Sequence, residues 1–128
     1  MLHADFIIGL PGESRDDILA TAEAVAQLGI NSIKIHSLYI LEGTPIAKMY
    51  YRGELSIMEK DEYVELVCDF LERLPPDIIV QRLIGEGPRN RLIAPKWCLD
   101  KHSIITQINE ELDRRDSYPP DHVFSHKV

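Results

Sequence analysis

Cysteine is scarce in this sequence: only Cys68 and Cys98 occur among 128 residues, and they share no CxxC spacing. Such a pair supports neither a disulfide framework nor a cysteine metal site. Cys68 falls on an apolar helical face, where a thiol behaves as a small hydrophobe. Excess positive charge is also missing, because 14 Lys and Arg against 21 Asp and Glu leave a formal charge of −7. That balance argues against non-specific nucleic-acid binding, while leaving room for a local basic patch. No apolar run approaches the length of a membrane span, and no basic-then-apolar leader opens the chain. Membrane insertion and secretion are therefore not expected, and the cytoplasm is the default location. Internal repeats and long low-complexity runs are absent as well. What remains, 45% hydrophobic and 27% charged residues, is the composition of a globular domain or of part of a larger one.

The chain turns on Ala4-Asp5-Phe6-Ile7-Ile8-Gly9-Leu10-Pro11-Gly12-Glu13-Ser14. An apolar, β-branched run halts at Gly9, a glycine- and proline-punctuated turn follows, and helical periodicity begins after Ser14. Ser14 with Asp17 makes an imperfect capping box, and Ile18, Leu19, Ala22, Val25 and Ala26 recur at helical spacing before Gly29. Residues 30–41, Ile30 to Leu41, read as one continuous second strand. Strand, helix, strand at this spacing implies parallel pairing. Thr44 and Pro45 fit the N-cap and first position of a short helix ended by Gly53. Ser56 to Leu74 is the clearest helix. Tyr63, Leu66, Val67, Phe70, Leu71 and Leu74 form its apolar stripe, and Glu62, Glu65, Asp69, Glu72 and Arg73 are expected to face water.

Pro75-Pro76 stops that helix, and Ile78-Ile79-Val80 marks a third strand running into the loop Gly85-Glu86-Gly87-Pro88-Arg89-Asn90-Arg91. A last helix follows Asp100, with Ile104, Ile108 and Leu112 inward and Arg114-Arg115 at its C-terminus. Trp97 fits a docking anchor for that helix better than a stacking platform. Residues 117–128 form a polar tail, expected to be disordered, in which His122 and His126 have metal-like spacing. The expectation is an α/β fold whose parallel strands end on one rim. Three loops would meet there: Gly9 to Glu13, the turn at Glu42-Gly43-Thr44, and Gly85 to Arg91. The first is no phosphate loop, because the lysine and hydroxyl pair is missing and Glu13 would repel an anion. A carboxylate at that place suits an amine, a hydroxyl or a purine edge.

Asp5-Phe6-Ile7-Ile8-Gly9-Leu10-Pro11-Gly12-Glu13-Ser14 resembles the GLPGE-type segment of radical S-adenosylmethionine (SAM) enzymes, where it follows the fifth strand of a partial (β/α) barrel. Further segments are similar to the YhcC-like branch, near the elongator-type and coproporphyrinogen-oxidase-type groups. They are Ile33-Lys34-Ile35-His36, Leu41-Glu42-Gly43-Thr44, Tyr50 to Leu55, Glu62 to Val67, Arg82-Leu83 with Gly85 to Arg89, and Leu92 to Trp97. The resemblance implies a TIM-like, parallel-strand C-terminal part of a partial barrel in residues 1–74. Residues 75–116 would then be a C-terminal helical extension and 117–128 the tail.

By position, the resemblance places SAM against Ile7, Ile8, Gly9, Leu10, Pro11, Gly12 and Glu13, with Leu38 and Leu41 as apolar contacts. Glu13 would mainly brace the turn. It makes His36, Arg82, Glu86 and Arg89 substrate-facing candidates. The superfamily's CxxxCxxC loop, which holds a 4Fe–4S cluster, is absent from this sequence, so no metal ligand is assigned and catalytic residues stay unnamed. The implied parent would cleave SAM reductively and start radical chemistry on an unknown substrate, with RNA as one candidate that the net charge does not support. Its implied partner is the N-terminal half of the barrel, and open strand edges would favour homo-oligomers. Two other readings stand beside this one: a non-catalytic α/β binding or interaction module, and a piece of an unrelated (β/α) barrel. Each candidate also has a plain structural role, His36 as a packed strand residue, Glu13 as a cap, and the arginines as a solvated face.

Overall fold

The structure is a computed structural model that describes residues 2–84 and 89–116. Its elements are β1 (His3–Ile8), α1 (Arg15–Ala26), β2 (Ser32–Ser37), β3 (Ile40–Leu41), α2 (Pro45–Tyr51), α3 (Lys60–Glu72), β4 (Ile79–Arg82), β5 (Leu92–Ala94) and α4 (Lys101–Arg115). Single 3₁₀ turns lie at Arg89–Arg91 and Lys96–Leu99. The expected tail, with His122 and His126, and the candidate Glu86 lie outside the described residues.

Local chemistry sets the helix starts. Ser14 and Asp17 close a full capping box at α1, Ser14 Oγ accepting from the Asp17 amide and Asp17 accepting from the Ser14 amide. The short aspartate reaches back as a glutamate would. Thr44 Oγ1 accepts from the Ala47 amide and donates to the Leu41 carbonyl, and Pro45 opens α2 where no intrahelical amide bond is needed. Asp100 caps α4 through the Ser103 amide. Helix α3 has no side-chain cap. Packing holds it instead, for Tyr63, Val67, Phe70 and Leu71 are each at most 1% exposed.

Strands β1, β2 and β4 form a parallel sheet in the order β1-β2-β4, as the alternation of strands and helices predicts. Ile8, Ile33, Ile35 and Val80 point to one face of the sheet, where they share a single core with α1, α3 and α4. Helix α3 lies between the other two. The opposite face, carrying His3, Asp5, Ile7, Lys34, His36 and Ile79, has no layer over it among the described residues. Parallel sheets are ordinarily covered on both sides. One wall of a larger α/β structure has this one-sided form.

Three expectations need correction. The second strand is not continuous to Leu41: β2 ends at Ser37, and Ile40–Leu41 pairs antiparallel with Leu92–Ala94 in a separate two-stranded sheet. The cause is a partner far along the chain, which draws the segment out of the parallel sheet. Helix α3 begins at Lys60, because residues 56–58 run without regular structure beside the Gly9 loop and Glu59 is extended. Asp69 does not face water; it is 9% exposed, held between Arg15 of α1 and Arg115 of α4.

Candidate functional site

The site begins where β1 stops. Gly9 has φ +102° and Gly12 φ +81°, so the chain bends through backbone that L side chains rarely adopt. The Glu13 amide donates to the Leu10 carbonyl at 3.1 Å and closes the turn that feeds α1. A Cβ at Gly9 would stand 3.8 Å from both Leu38 Cβ and Met58 Cε, ordinary contact, so conformation rather than space demands glycine here. The Leu38 amide donates to the Ile8 carbonyl at 3.2 Å. The ends of β1 and β2 are thereby joined on one rim.

Beside this rim lies a cavity of about 330 Å³ between Gly9–Glu13 and residues 54–58, with Glu62 at its side. Its second wall, from Glu54 to Met58, was not picked out by the sequence, since nothing local ties an irregular stretch to a loop more than 40 residues earlier. Glu13 lines the cavity with a buried carboxylate oxygen, Oε1, that has no hydrogen-bond partner. Burial, and then the Asp17 carboxylate, raise its pKa against a backbone hydrogen bond at Leu10. A second, very small cavity is lined by Ile8, Gly9, Ser37, Leu38, Met58, Tyr63 and Trp97. Ser37 Oγ is also buried without a partner.

Leu10, Pro11 and Gly12 thus share the larger cavity with Gly9 and Glu13, while Ile8 and Leu38 line the small second cavity, to which Gly9 and Met58 also contribute. Ile7 is 46% exposed on the open sheet face instead. Leu41 lies past the break after Ser37 and lines neither cavity. There the second and third loops meet, because Glu42 and Arg91 exchange bonds: the Glu42 amide to the Arg91 carbonyl at 2.9 Å, and the Arg91 guanidinium to the Glu42 carbonyl at 2.8 Å. Arg89 is exposed at the first 3₁₀ turn. His36 is half-buried on the open face, its pKa lowered by burial and then by Arg82, while Asp5 opposes the shift. Trp97 is held toward the start of α3 by these contacts, donating from Nε1 to the Met58 carbonyl at 3.0 Å with its ring 5.2 Å from that of Tyr63.

The sulfur chemistry is inert. Burial pushes the Cys68 thiol up to about 12 and raises that of Cys98, so neither is a thiolate at neutral pH. Among the described residues no three His, Cys, Asp or Glu side chains are grouped to hold a metal. No described helix is long and apolar enough to cross a membrane.

The Bacillus subtilis protein YtqA is 48% identical over 112 residues, covering 88% of this chain and 35% of YtqA. Escherichia coli YhcC is 32% identical over 107 residues, covering 84% of this chain and 35% of its own length. The chain therefore spans about a third of these curated relatives. In three dimensions it is similar to the archaeal Methanocaldococcus infernus Elp3 lacking its N-terminus, with TM-score 0.74 and 15% identity over 90% of this chain and 27% of that one. That likeness extends to the α/β fold, the parallel-strand part of a larger partial barrel. Residues 30–114 match the radical SAM C-terminal domain. With two thirds of its length accounted for by that match, the chain belongs to the radical SAM C-terminal domain family.

Proposed function

We propose that this chain works as the C-terminal portion of a radical SAM enzyme, its Gly9–Glu13 loop forming one wall of the SAM site. The observation that carries this is the joining of that loop to the end of β2 beside a cavity of about 330 Å³, on a sheet whose other face is open among the described residues. The residues suit a nucleoside: glycine backbone at Gly9 and Gly12 allows close approach, Leu10 and Leu38 offer apolar surface, and the partnerless Glu13 Oε1 accepts from a hydroxyl or amine. When bound beside a 4Fe–4S cluster, SAM supplies radical chemistry by its reductive cleavage. The grouped thiolates that a cluster needs are not among this chain's residues, so they belong to the upstream portion of the enzyme. This chain's part is to bind, orient and exclude water. His36, Arg82, Glu86 and Arg89 are the proposed substrate-side groups.

The test uses the full-length protein, reconstituted without oxygen. It should bind SAM and release 5′-deoxyadenosine on reduction, and Gly9→Val should weaken SAM binding at least tenfold. SAM binding that is unchanged in Gly9→Val, or no 5′-deoxyadenosine from the wild type, would overturn the assignment.

A further inference from the structure

The uncovered sheet face holds one arrangement that SAM binding leaves unused. Register places Lys34 of β2 opposite Arg82 of β4, with a shift between Ile33 and Lys34. Val80 pairs with Ile33 and Arg82 with Lys34, so Gln81 is an extra residue on β4. Without that bulge Gln81 would lie beside Lys34, and Arg82 would turn toward the helix-covered side. The bulge re-aims the guanidinium onto the open face. His36, two residues beyond Lys34 on the same face, is half-buried and lies within electrostatic reach of both cations.

Counter-charge is short there, because the carboxylate that stands across from Lys34 in the β1–β2 register faces two cations. The three strands of this sheet contain one carboxylate, Asp5, and it is engaged at 2.7 Å by His3 Nε2, whose Nδ1 meets Ser32 Oγ at 2.8 Å. Beyond the strand ladder, the side chains of Lys34 and Arg82 form no ion pair or hydrogen bond among the described residues, and both residues are half-buried. Elsewhere this acidic chain pairs its arginines: Arg15, Arg52, Arg73, Arg114 and Arg115 all meet carboxylates. Two partly desolvated cations without a partner are costly unless an anion completes them.

We propose that Lys34 and Arg82, with His36 beside them, bind an oxyanion, phosphate or carboxylate, carried by the substrate. This rests on reading the open face as the substrate side of a radical SAM enzyme. The lysine supplies a point charge and the guanidinium a planar fork, and neutral His36 adds a donor from one ring nitrogen. Asp5, across from Lys34 in register, is bonded by His3 and offsets at most one of the two positive charges.

The test takes the full-length protein and uses inorganic pyrophosphate and malonate as probes, with SAM titrated separately. Wild type should bind at least one probe, with affinity falling as salt rises. Lys34→Gln and Arg82→Gln should each weaken that probe tenfold or more and shift SAM affinity less than twofold, and Lys48→Gln should leave it unchanged. Arg82→Lys should recover part of the loss. Bound probe should raise the titration midpoint of the His36 imidazole in NMR. Pyrophosphate preference assigns a phosphate and malonate preference a carboxylate. No probe binding, or a loss of SAM affinity matching the loss of probe affinity, would overturn the proposal. Absence of SAM binding in wild type strikes the SAM assignment alone, because probe binding is read without SAM.

Discussion

Single residues decide the shape of the rim. Gly9 and Gly12 both take positive φ, yet they differ in surroundings: Gly9 is close to Leu38 and Met58, while a Cβ at Gly12 would meet nothing within 4 Å. Replacing either by alanine forces an L residue into a sparsely populated region, which costs on the order of 1–3 kcal/mol. Gly9→Ala and Gly12→Ala should therefore lose similar stability in urea unfolding, and equal midpoints with wild type would show that the loop relaxes freely. Tyr63 is a different kind of single residue. Its hydroxyl donates to the Leu83 carbonyl at 2.7 Å in a fully buried setting that holds the phenol neutral. Tyr63→Phe leaves that carbonyl without its partner and should cost about 1–3 kcal/mol.

At the scale of elements, the charged clamp between helices matters most. Arg115, near the end of α4 and 17% exposed, donates to Asp69 Oδ1 at 2.7 Å, Glu72 Oε1 at 2.8 Å and Glu111 Oε2 at 2.7 Å. Arg15 of α1 takes the other oxygen of Asp69, so one buried carboxylate ties three helices. Hydrogen bonds from Arg114 and Arg115 hold Glu111 at about 2, well below its ordinary 4.5. A carboxylate depressed in the folded state adds stability above its unfolded pKa, and that contribution fades as pH falls from about 4.5 through about 2. Glu111→Gln should flatten this part of the acid limb in denaturation measured from pH 6 to pH 2, and an unchanged limb would remove the clamp from the acid response. The clamp was hidden in the sequence because Asp69 lies outside the apolar stripe of α3, and only α1 and α4 together bury it. Caps were legible, since Ser14 to Asp17, Thr44 to Ala47 and Asp100 to Ser103 lie within one turn. The break after Ser37 was not, because it depends on Leu92–Ala94, some 50 residues on. Likewise the glycine rim could be read from residues 9–13, whereas its second wall at residues 54–58 and the bulge that turns Arg82 could not.

The whole molecule is governed by what its sheet leaves uncovered. Strand β1 is an edge, and a groove of about 300 Å³ runs along it between Phe6, Leu10, Ile18 and Phe70. Across the open face, Ile7 at 46% and Ile79 at 40% exposure stand among charged neighbours. An edge with free amides and carbonyls pairs with any strand offered to it, and a one-sided parallel sheet gains by acquiring a second layer. In the proposed enzyme the upstream barrel strands meet both needs. The isolated chain has only further copies of itself to satisfy them, while its net charge of −7 opposes close approach at low salt. Sedimentation of this 128-residue chain should therefore show self-association that strengthens with concentration and with salt. Ile7→Lys should shift the chain toward monomer by adding charge to the apolar part of the face, and co-expression with the upstream portion should replace self-association by a one-to-one complex. A chain that stays monomeric at high salt and millimolar concentration would mean that this sheet needs no second layer, and the case for an upstream partner at β1 would fall with it.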